Sequence, residues 1–338
     1  MRLQLIVCAA LAAFFPVDAL LSTHPQTLST KQTFHTRQSP PLFSAAAAAV
    51  GSDEVDVSPS VKESKWDRVR REGGMFSIHT KYGGLNPFGL WYGVVAVTLG
   101  IPWYIAMTIC QIFYKLTGER FDRLRRIPIF ITQIWGTLLL RLTHCYPKME
   151  GLDILRKFYK EGRCAMFVAN HSSWMDIPYL GATIGWRNYK LISKKELQRV
   201  PILGKAIKVG GNILVDRQDR KSQLMTLKKG IQYLQDGVHL CTYPEGTRTR
   251  TGRLMPFKNG AFKMAHKAGA PVIPISIVGA DKSMPIHWMF PFRPGHPVSR
   301  VVVHEPIESK GKTEEELAEA VRSALISGLD DYQKPLDK

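Results

Sequence analysis

The chain has 338 residues, enough for one large domain or two small ones, and a formal net charge of +18. This charge favours an anionic partner, such as nucleic acid, a phospholipid surface, a phosphorylated metabolite or an acidic carrier protein, without choosing among them. The five cysteines form no CxxC pair and mostly lie in apolar runs, so they indicate neither a zinc site nor a disulfide framework.

The first 51 residues have the composition of a targeting leader. Arg2 precedes an apolar segment over 3–15, and Val17-Asp18-Ala19 offers small residues where a signal peptidase cleaves. Residues 20–51 contain no acidic residue and are rich in Ser, Thr and Ala, which is typical of a transit segment. We therefore predict a bipartite leader over 1–51 that directs the chain to a plastid membrane, with the endoplasmic reticulum as the alternative. An uncleaved signal anchor and a disordered linker are further alternatives.

A charged linker over 52–81 precedes a predicted membrane-associated region over 82–145. Residues 82–114 carry no charge, and about 20 apolar residues suffice to cross a bilayer core. Pro102 is expected to kink or break this helix. The uncharged run 127–140 is too short for a comfortable crossing and suits an interfacial or re-entrant helix. The alternative is a core hairpin of a soluble protein, and basic residues on both flanks leave the orientation open.

Residues 146–338 alternate between short apolar runs and amphipathic stretches, which predicts an α/β domain with a mixed, largely buried sheet flanked by helices. Apolar residues at helical spacing predict a helix over 222–235, and Thr313 with Glu316 predicts a capping box that opens another. The predicted strands cover 165–169, 189–192, 212–215, 238–243, 272–278 and 301–304.

The segment 164–176 combines a buried strand with a polar turn, so we expect chemistry where this strand ends. His171 and Asp176 are five positions apart, and the turn between them can bring the carboxylate back to the ring. A carboxylate that accepts from one imidazole nitrogen stabilises the cation formed at the other, which makes His171 a candidate general base. The alternative is that His171 caps a turn and Asp176 caps a helix. Because no serine or cysteine nucleophile signature accompanies the pair, the activated hydroxyl is expected on a substrate.

Two further segments carry groups suited to an anion. In the turn that ends the strand at 243, Gly246 permits tight backbone geometry and Arg248 offers a planar fork for phosphate oxygens. Lys194, Lys195 and Arg217 surround a glycine-containing segment and could clamp a phosphate monoester. An ordinary surface turn and solvated charges are the alternatives for both segments.

Taken in order, these segments resemble the 1-acylglycerol-3-phosphate acyltransferase family, also called lysophosphatidate acyltransferases. The resemblance covers residues 146–307, and several ordered blocks are far more specific than any one alone. Thr249 stands where the family often has Ser. The matching blocks are 170–176 (NHxxxxD), 194–217, 243–249 (EGTR), 256–262 (PFKxGAF) and 270–277.

The resemblance implies acyl transfer from acyl-CoA or acyl carrier protein to the sn-2 hydroxyl of a lysophosphatidate, giving phosphatidate at a phospholipid membrane. It implies His171 as the base, Asp176 as its orienting partner, and no metal or cofactor beyond the acyl donor. It also implies a substrate-binding set composed of Lys194, Lys195, Arg217, Glu245, Gly246, Thr247 and Arg248.

Three other functions remain possible at this point. The same histidine and aspartate pair would serve transfer to glycerol 3-phosphate or to another lysophospholipid. A phosphate-ester hydrolase would use His171 without an acyl donor. A basic binding protein is the third, but the chain lacks the interleaved aromatic and basic residues of an RNA-binding module, so we expect no nucleic-acid partner.

Overall fold

The computed structural model describes residues 64–118, 120–199 and 203–336. The predicted leader and the first part of the predicted linker lie outside the described residues. A 3₁₀ helix spans Lys195–Arg199. The α-helices are α1 Lys65–Gly73, α2 Pro87–Thr117, α3 Arg126–Leu142, α4 Leu152–Lys160, α5 Asp176–Ile184, α6 Leu203–Val209, α7 Arg220–Gln235, α8 Gly260–Ala268, α9 Ala280–Ser283 and α10 Glu314–Gly328.

The six predicted strands are all present, with ends that differ by no more than two residues from those expected. The predicted capping box is confirmed at the start of α10, where the Thr313 side chain accepts from the Glu316 backbone. Three short strands, β1 to β3, were not predicted. The strands are β1 Ile78–Thr80, β2 Gly83–Leu85, β3 Lys148–Glu150, β4 Met166–Ala169, β5 Tyr189–Lys194, β6 Ile213–Val215, β7 His239–Thr242, β8 Val272–Val278 and β9 Arg300–Val303.

Within the described residues, seven strands form one sheet in the order β3-β9-β8-β4-β7-β5-β6. Strands β4 to β8 are mutually parallel, while β9 runs antiparallel to β8 and pairs in parallel with β3. The sheet is therefore mixed, as predicted. Because β4 to β8 point the same way, the residues that follow them gather at one edge.

The centre of the sheet is buried on both faces, which confirms the predicted architecture. Every residue of β4 is buried, and its side chains alternate between the two faces. Phe167 packs in a core with Tyr92 of α2, Leu140 of α3 and Tyr179 of α5. Met166 faces the opposite core, which α7, α8 and α10 cover. The continuous apolar run of β4 is thus that of a strand covered by helices on both sides.

Helices α2 and α3 form the expected hairpin, and Trp103 contacts Trp135 across it with ring centroids 5.7 Å apart. Pro102 does not break the first helix, because α2 continues through it from Pro87 to Thr117. In the described residues, one helix, α2, is long and apolar enough to cross a membrane. Large apolar side chains remain exposed along both helices, including Trp91, Ile101, Ile105, Ile109, Leu116, Ile127, Phe130 and Leu142.

The described part of the range assigned to a linker is folded from residue 64 onward. Val69 of α1 is buried against Trp288 and Phe292. Glu72 accepts hydrogen bonds from Nε1 of Trp288 at 2.8 Å and from Nε2 of His287 at 2.5 Å. Val69 is the one buried residue of this charged helix, so its composition alone gave little sign of a packed element.

Candidate active site

The predicted functional segments meet at the carboxyl edge of the parallel strands. His171 follows β4, Lys194 ends β5, Arg217 follows β6 and Arg248 follows β7. Open α/β sheets bind ligands at this edge. We call residues 170–176, after β4, the histidine turn, and residues 243–249, after β7, the arginine loop.

The histidine turn brings an imidazole and a carboxylate into hydrogen-bond contact. Nδ1 of His171 lies 2.8 Å from Oδ2 of Asp176. The same oxygen accepts from the backbone N–H groups of Ser172 at 2.7 Å and Ser173 at 2.8 Å. The Asp176 side chain is fully buried, whereas that of His171 is 15% exposed. With Nδ1 held by the carboxylate, Nε2 is the nitrogen able to exchange a proton with a substrate.

Strand β8 and the segment after it fix this turn in place. The side chain of Asn170 donates to the carbonyl of Ile277 at 2.8 Å and accepts from the N–H of Ile277 at 2.7 Å. Oγ of Ser173 donates to the carbonyl of Met284 at 2.7 Å. Where the backbone leaves the sheet, these side-chain hydrogen bonds replace the hydrogen bonds between strands. They anchor the histidine turn to β8 and to the segment that follows it.

Glu245 ties the arginine loop to the histidine turn. Its Oε1 accepts from the backbone N–H of His171 at 2.6 Å, and its Oε2 accepts from the N–H of Met255 at 3.0 Å. In return, the N–H of Thr249 donates to the His171 carbonyl at 2.9 Å. Glu245 is buried, and this burial raises the pKa of its carboxyl to about 8. Both oxygens are used within the protein, so the structure gives Glu245 a positioning role in the loop.

Arg248 lies against the histidine turn with one guanidinium nitrogen left without a hydrogen-bond partner. The guanidinium carbon is 4.4 Å from the centroid of the Trp174 ring. Its Nη1 is buried and has no hydrogen-bond partner among the described residues. A buried guanidinium nitrogen without an acceptor is unfavourable, and an oxyanion would satisfy it.

Other cations stand close to Arg248. Burial, together with the positive charges of Arg217, Arg248 and Lys258, lowers the pKa of Lys194. Lys258 also lies beside Gly246, whose φ is +76° and where an added Cβ would come within 3.1 Å of Nζ of Lys258. The cations from three strand ends and the segment after the arginine loop thus form one positive region that suits a phosphate.

The remaining predicted residues lie at the margin of this region. Lys195 is exposed and pairs with Asp216 at 3.6 Å, while Thr247 is exposed in the arginine loop. Their side chains have no described contact with His171. Among residues 64–118, 120–199 and 203–336, no three His, Cys, Asp or Glu side chains are placed to hold a metal ion.

Three residues at the site were not among the predicted ones. The Tyr243 ring stacks on the His171 ring with centroids 4.1 Å apart and an interplanar angle of 15°. Trp174 packs against Arg248, and Lys258 lies beside Gly246. All three belong to the motif blocks 170–176, 243–249 and 256–262, so their membership in a block was the signal that could have identified them.

Comparisons with known proteins find relatives of this chain. The Acyltransferase family model matches residues 148–278, from β3 to the end of β8. The chain is 35% identical to the "1-acyl-sn-glycerol-3-phosphate acyltransferase BAT2, chloroplastic" of Brassica napus, over 59% of this chain and 57% of that protein. It is 33% identical to the "Uncharacterized acyltransferase C1851.02" of Schizosaccharomyces pombe, over 79% of this chain and 88% of that protein.

A solved structure has the same fold. The crystal structure of the 1-acyl-sn-glycerophosphate (LPA) acyltransferase PlsC from Thermotoga maritima matches with a TM-score of 0.52 and 27% identity, over 70% of this chain and 95% of that chain. The chain spans little more than half the length of the Brassica relative. On the sequence matches and this shared fold, the chain belongs to the acyltransferase family that includes the 1-acyl-sn-glycerol-3-phosphate acyltransferases.

Proposed function

We propose that this protein transfers an acyl group from acyl-CoA or acyl carrier protein to the sn-2 hydroxyl of 1-acyl-sn-glycerol 3-phosphate, giving phosphatidate. One observation carries the proposal: the His171–Asp176 pair lies beside a guanidinium whose Nη1 is buried and unpartnered. A base next to an anion site fits an acceptor that carries both a hydroxyl and a phosphate. The names of the Brassica and Thermotoga relatives support the same acceptor.

His171 would act as general base. Its Nε2 takes the proton of the acceptor hydroxyl as that oxygen attacks the thioester carbonyl carbon of the donor. Asp176 stabilises the imidazolium through the 2.8 Å contact at Nδ1. The C–S bond then breaks, and the leaving thiolate receives the proton from Nε2. The acyl group moves directly from sulfur to oxygen, so no acyl-enzyme forms.

The phosphate of the acceptor would be held by the cations around the arginine loop. Arg248 supplies the unpartnered Nη1, and Lys194, Arg217 and Lys258 supply further positive charge. Gly246 keeps the loop backbone compact beside Lys258. Holding the phosphate fixes the position of the glycerol hydroxyls relative to Nε2 of His171, and such positioning accounts for much of the rate of bimolecular transfer.

The apolar hairpin would place this site at a membrane. Helices α2 and α3 expose many large apolar side chains, an arrangement that water disfavours and a bilayer accepts. The amino-terminal part of α2 lies near the histidine turn, since Oη of Tyr92 is 3.9 Å from the sulfur of Met175. We propose a membrane protein that receives its lysolipid from the bilayer, in a plastid membrane if 1–51 is a bipartite leader and otherwise in the endoplasmic reticulum.

Acceptor profiling tests the proposed function. Purified protein is given labelled acyl-CoA or labelled acyl carrier protein with lysophosphatidate, glycerol 3-phosphate or a lysophospholipid that has a larger head group. The expected result is labelled phosphatidate from lysophosphatidate, with transfer lost in His171→Ala. Preference for glycerol 3-phosphate would reassign the acceptor. Release of inorganic phosphate without an acyl donor would contradict acyl transfer and indicate a hydrolase.

A further inference from the structure

An aromatic residue of each of the two segments, the histidine turn and the arginine loop, packs against a functional side chain of the other. Tyr243, at the start of the arginine loop, stacks on His171 with ring centroids 4.1 Å apart. Trp174, inside the histidine turn, packs against Arg248 at 4.4 Å. Each segment therefore supports the functional side chain of the other, although the two are about 70 positions apart in the sequence.

We propose that Tyr243 and Trp174 are positioning residues that set the distance between the base and the phosphate-binding guanidinium. The inference rests on the proposed function of His171 and Arg248. It assigns the two rings separate effects. Tyr243 governs the chemical step through His171, and Trp174 governs acceptor binding through Arg248.

The ring of His171 needs a support besides Asp176. The contact from Nδ1 to Oδ2 restrains the ring at one edge but gives its faces no packing partner. The Tyr243 ring, nearly parallel at 15°, packs against one face and restrains changes in the tilt of the imidazole. Tyr243 is itself 9% exposed, and its hydroxyl has no hydrogen-bond partner among the described residues. The contact with His171 is thus made by the face of the Tyr243 ring and not by its hydroxyl, so a phenylalanine at this position should keep the contact.

Arg248 needs a support because no carboxylate among the described residues forms an ion pair with it. A long side chain with no such partner would sample many rotamers, and ordering it on substrate binding would weaken that binding. The Trp174 ring holds the guanidinium by cation–π attraction and leaves its edge free for phosphate oxygens. Trp174 thereby prepares the anion site before substrate arrives.

The test compares Tyr243→Leu and Trp174→Leu with the wild type, with Tyr243→Phe and Trp174→Phe as matched controls that keep an aromatic ring. Lysophosphatidate is varied at saturating acyl donor. We expect Tyr243→Leu to lower kcat about tenfold with KM nearly unchanged, and Trp174→Leu to raise KM about tenfold with kcat nearly unchanged. Both phenylalanine variants should stay close to the wild type. The proposal would be overturned if kcat and KM changed equally in both leucine variants. It would also be overturned if the phenylalanine variants were as impaired as the leucine variants.

A second readout needs no substrate. The NMR spectrum of the wild type should show a Nδ1 proton of His171, assigned by its absence in His171→Ala, and side-chain protons of Arg248 shifted by the Trp174 ring current. The first signal should vanish in Tyr243→Leu and persist in Tyr243→Phe, and the second shift should disappear in Trp174→Leu. Persistence of both signals in the leucine variants overturns the inference. A wild type that transfers nothing to lysophosphatidate would contradict the proposed function instead. The spectra would still show whether Tyr243 and Trp174 position His171 and Arg248.

Discussion

Asp176 presents one oxygen to three donors, the imidazole of His171 and two backbone N–H groups, while its Oδ1 has no partner among the described residues. The carboxylate therefore contacts both the backbone of the turn and the ring of His171. The sequence left open whether Asp176 caps a helix or orients His171. Helix α5 begins at Asp176 itself and has no side-chain cap, and the carboxylate accepts from N–H groups of the preceding turn. A change that keeps the oxygen but removes the charge would separate the effects of these two contacts.

Asp176→Asn should make that separation. The amide oxygen can accept from the same three donors, so the fold is retained, but the imidazolium loses its counter-charge and kcat should fall about 10²- to 10⁴-fold. The measurement is kcat with lysophosphatidate, with circular dichroism to show that the protein is folded. Asp153→Asn, in the first turn of α4 and exposed, is the matched control. Unchanged kcat in folded Asp176→Asn would remove the carboxylate from the mechanism.

Glu245 makes a testable contribution to stability. In Glu245→Gln one carboxyl oxygen is replaced by an NH₂ group that faces a backbone N–H, so we expect a loss of about 1–3 kcal/mol in the free energy of unfolding. Denaturant unfolding measures it, with the exposed Glu305→Gln as control. A variant as stable as the wild type would show that these two hydrogen bonds do not hold the loop.

The same carboxyl predicts a dependence on pH. Its pKa is raised in the folded protein to about 8 from an ordinary value of 4.5, so the folded state keeps a proton that the unfolded state releases. The stabilisation is complete below pH 4.5 and is lost as pH rises through about 8. We expect the stability difference between wild type and Glu245→Gln to shrink from pH 5 to pH 8.5. A difference that grows over this range would contradict the raised pKa.

Arg248 is expected to act on binding. Arg248→Ala should raise KM for the phosphorylated acceptor, because the unpartnered guanidinium nitrogen is lost while the His171–Asp176 contact remains. Steady-state kinetics measure the effect, with Arg250→Ala, an exposed arginine two positions later, as control. A change confined to kcat would move Arg248 from substrate binding to catalysis.

At the scale of elements, α2 and α3 are the part of the protein that we propose to contact a lipid surface. Ile105 and Ile109 are 54% and 61% exposed on α2. Replacing both with Gln should lower vesicle affinity at least about tenfold, since burying each Ile in an apolar medium contributes about 1.5–3 kcal/mol. Sedimentation with phospholipid vesicles measures it. Leu224→Gln with Met225→Gln, which are similarly exposed on α7, should leave vesicle affinity nearly unchanged. Equal losses in the two double variants would argue against the hairpin as the membrane contact.

The strands were predictable because each is a short apolar run that ends at a polar residue, as β4 does at Asn170. The short strand β3 was not, because the three residues Lys148–Glu150 carry too little pattern. Helix α2 is not interrupted at Pro102 because it packs against α3 and α6, and this packing outweighs the loss of one backbone hydrogen bond. Contacts between distant segments, such as Tyr243 on His171, have no local signature.

At the scale of the molecule, parallel strand order explains why distant motifs make one site. The strand ends that carry His171, Lys194, Arg217 and Arg248 lie at one edge, although they span 78 positions of the chain. The sequence placed candidate site residues at these strand ends, and the sheet order brings them together. The net charge of +18 is then partly explained by the cations that surround the proposed phosphate site. The apolar hairpin of α2 and α3 packs on the same core, so the proposed membrane contact would lie close to this edge.

The most direct test of the account measures transfer of a labelled acyl group to lysophosphatidate by the wild type and by His171→Ala, each shown to be folded. Product analysis with an sn-2-specific lipase locates the label. The account predicts wild-type phosphatidate labelled at sn-2 and a kcat in His171→Ala reduced by at least about 10²-fold. Near-normal transfer by folded His171→Ala would contradict the central claim that this imidazole is the base.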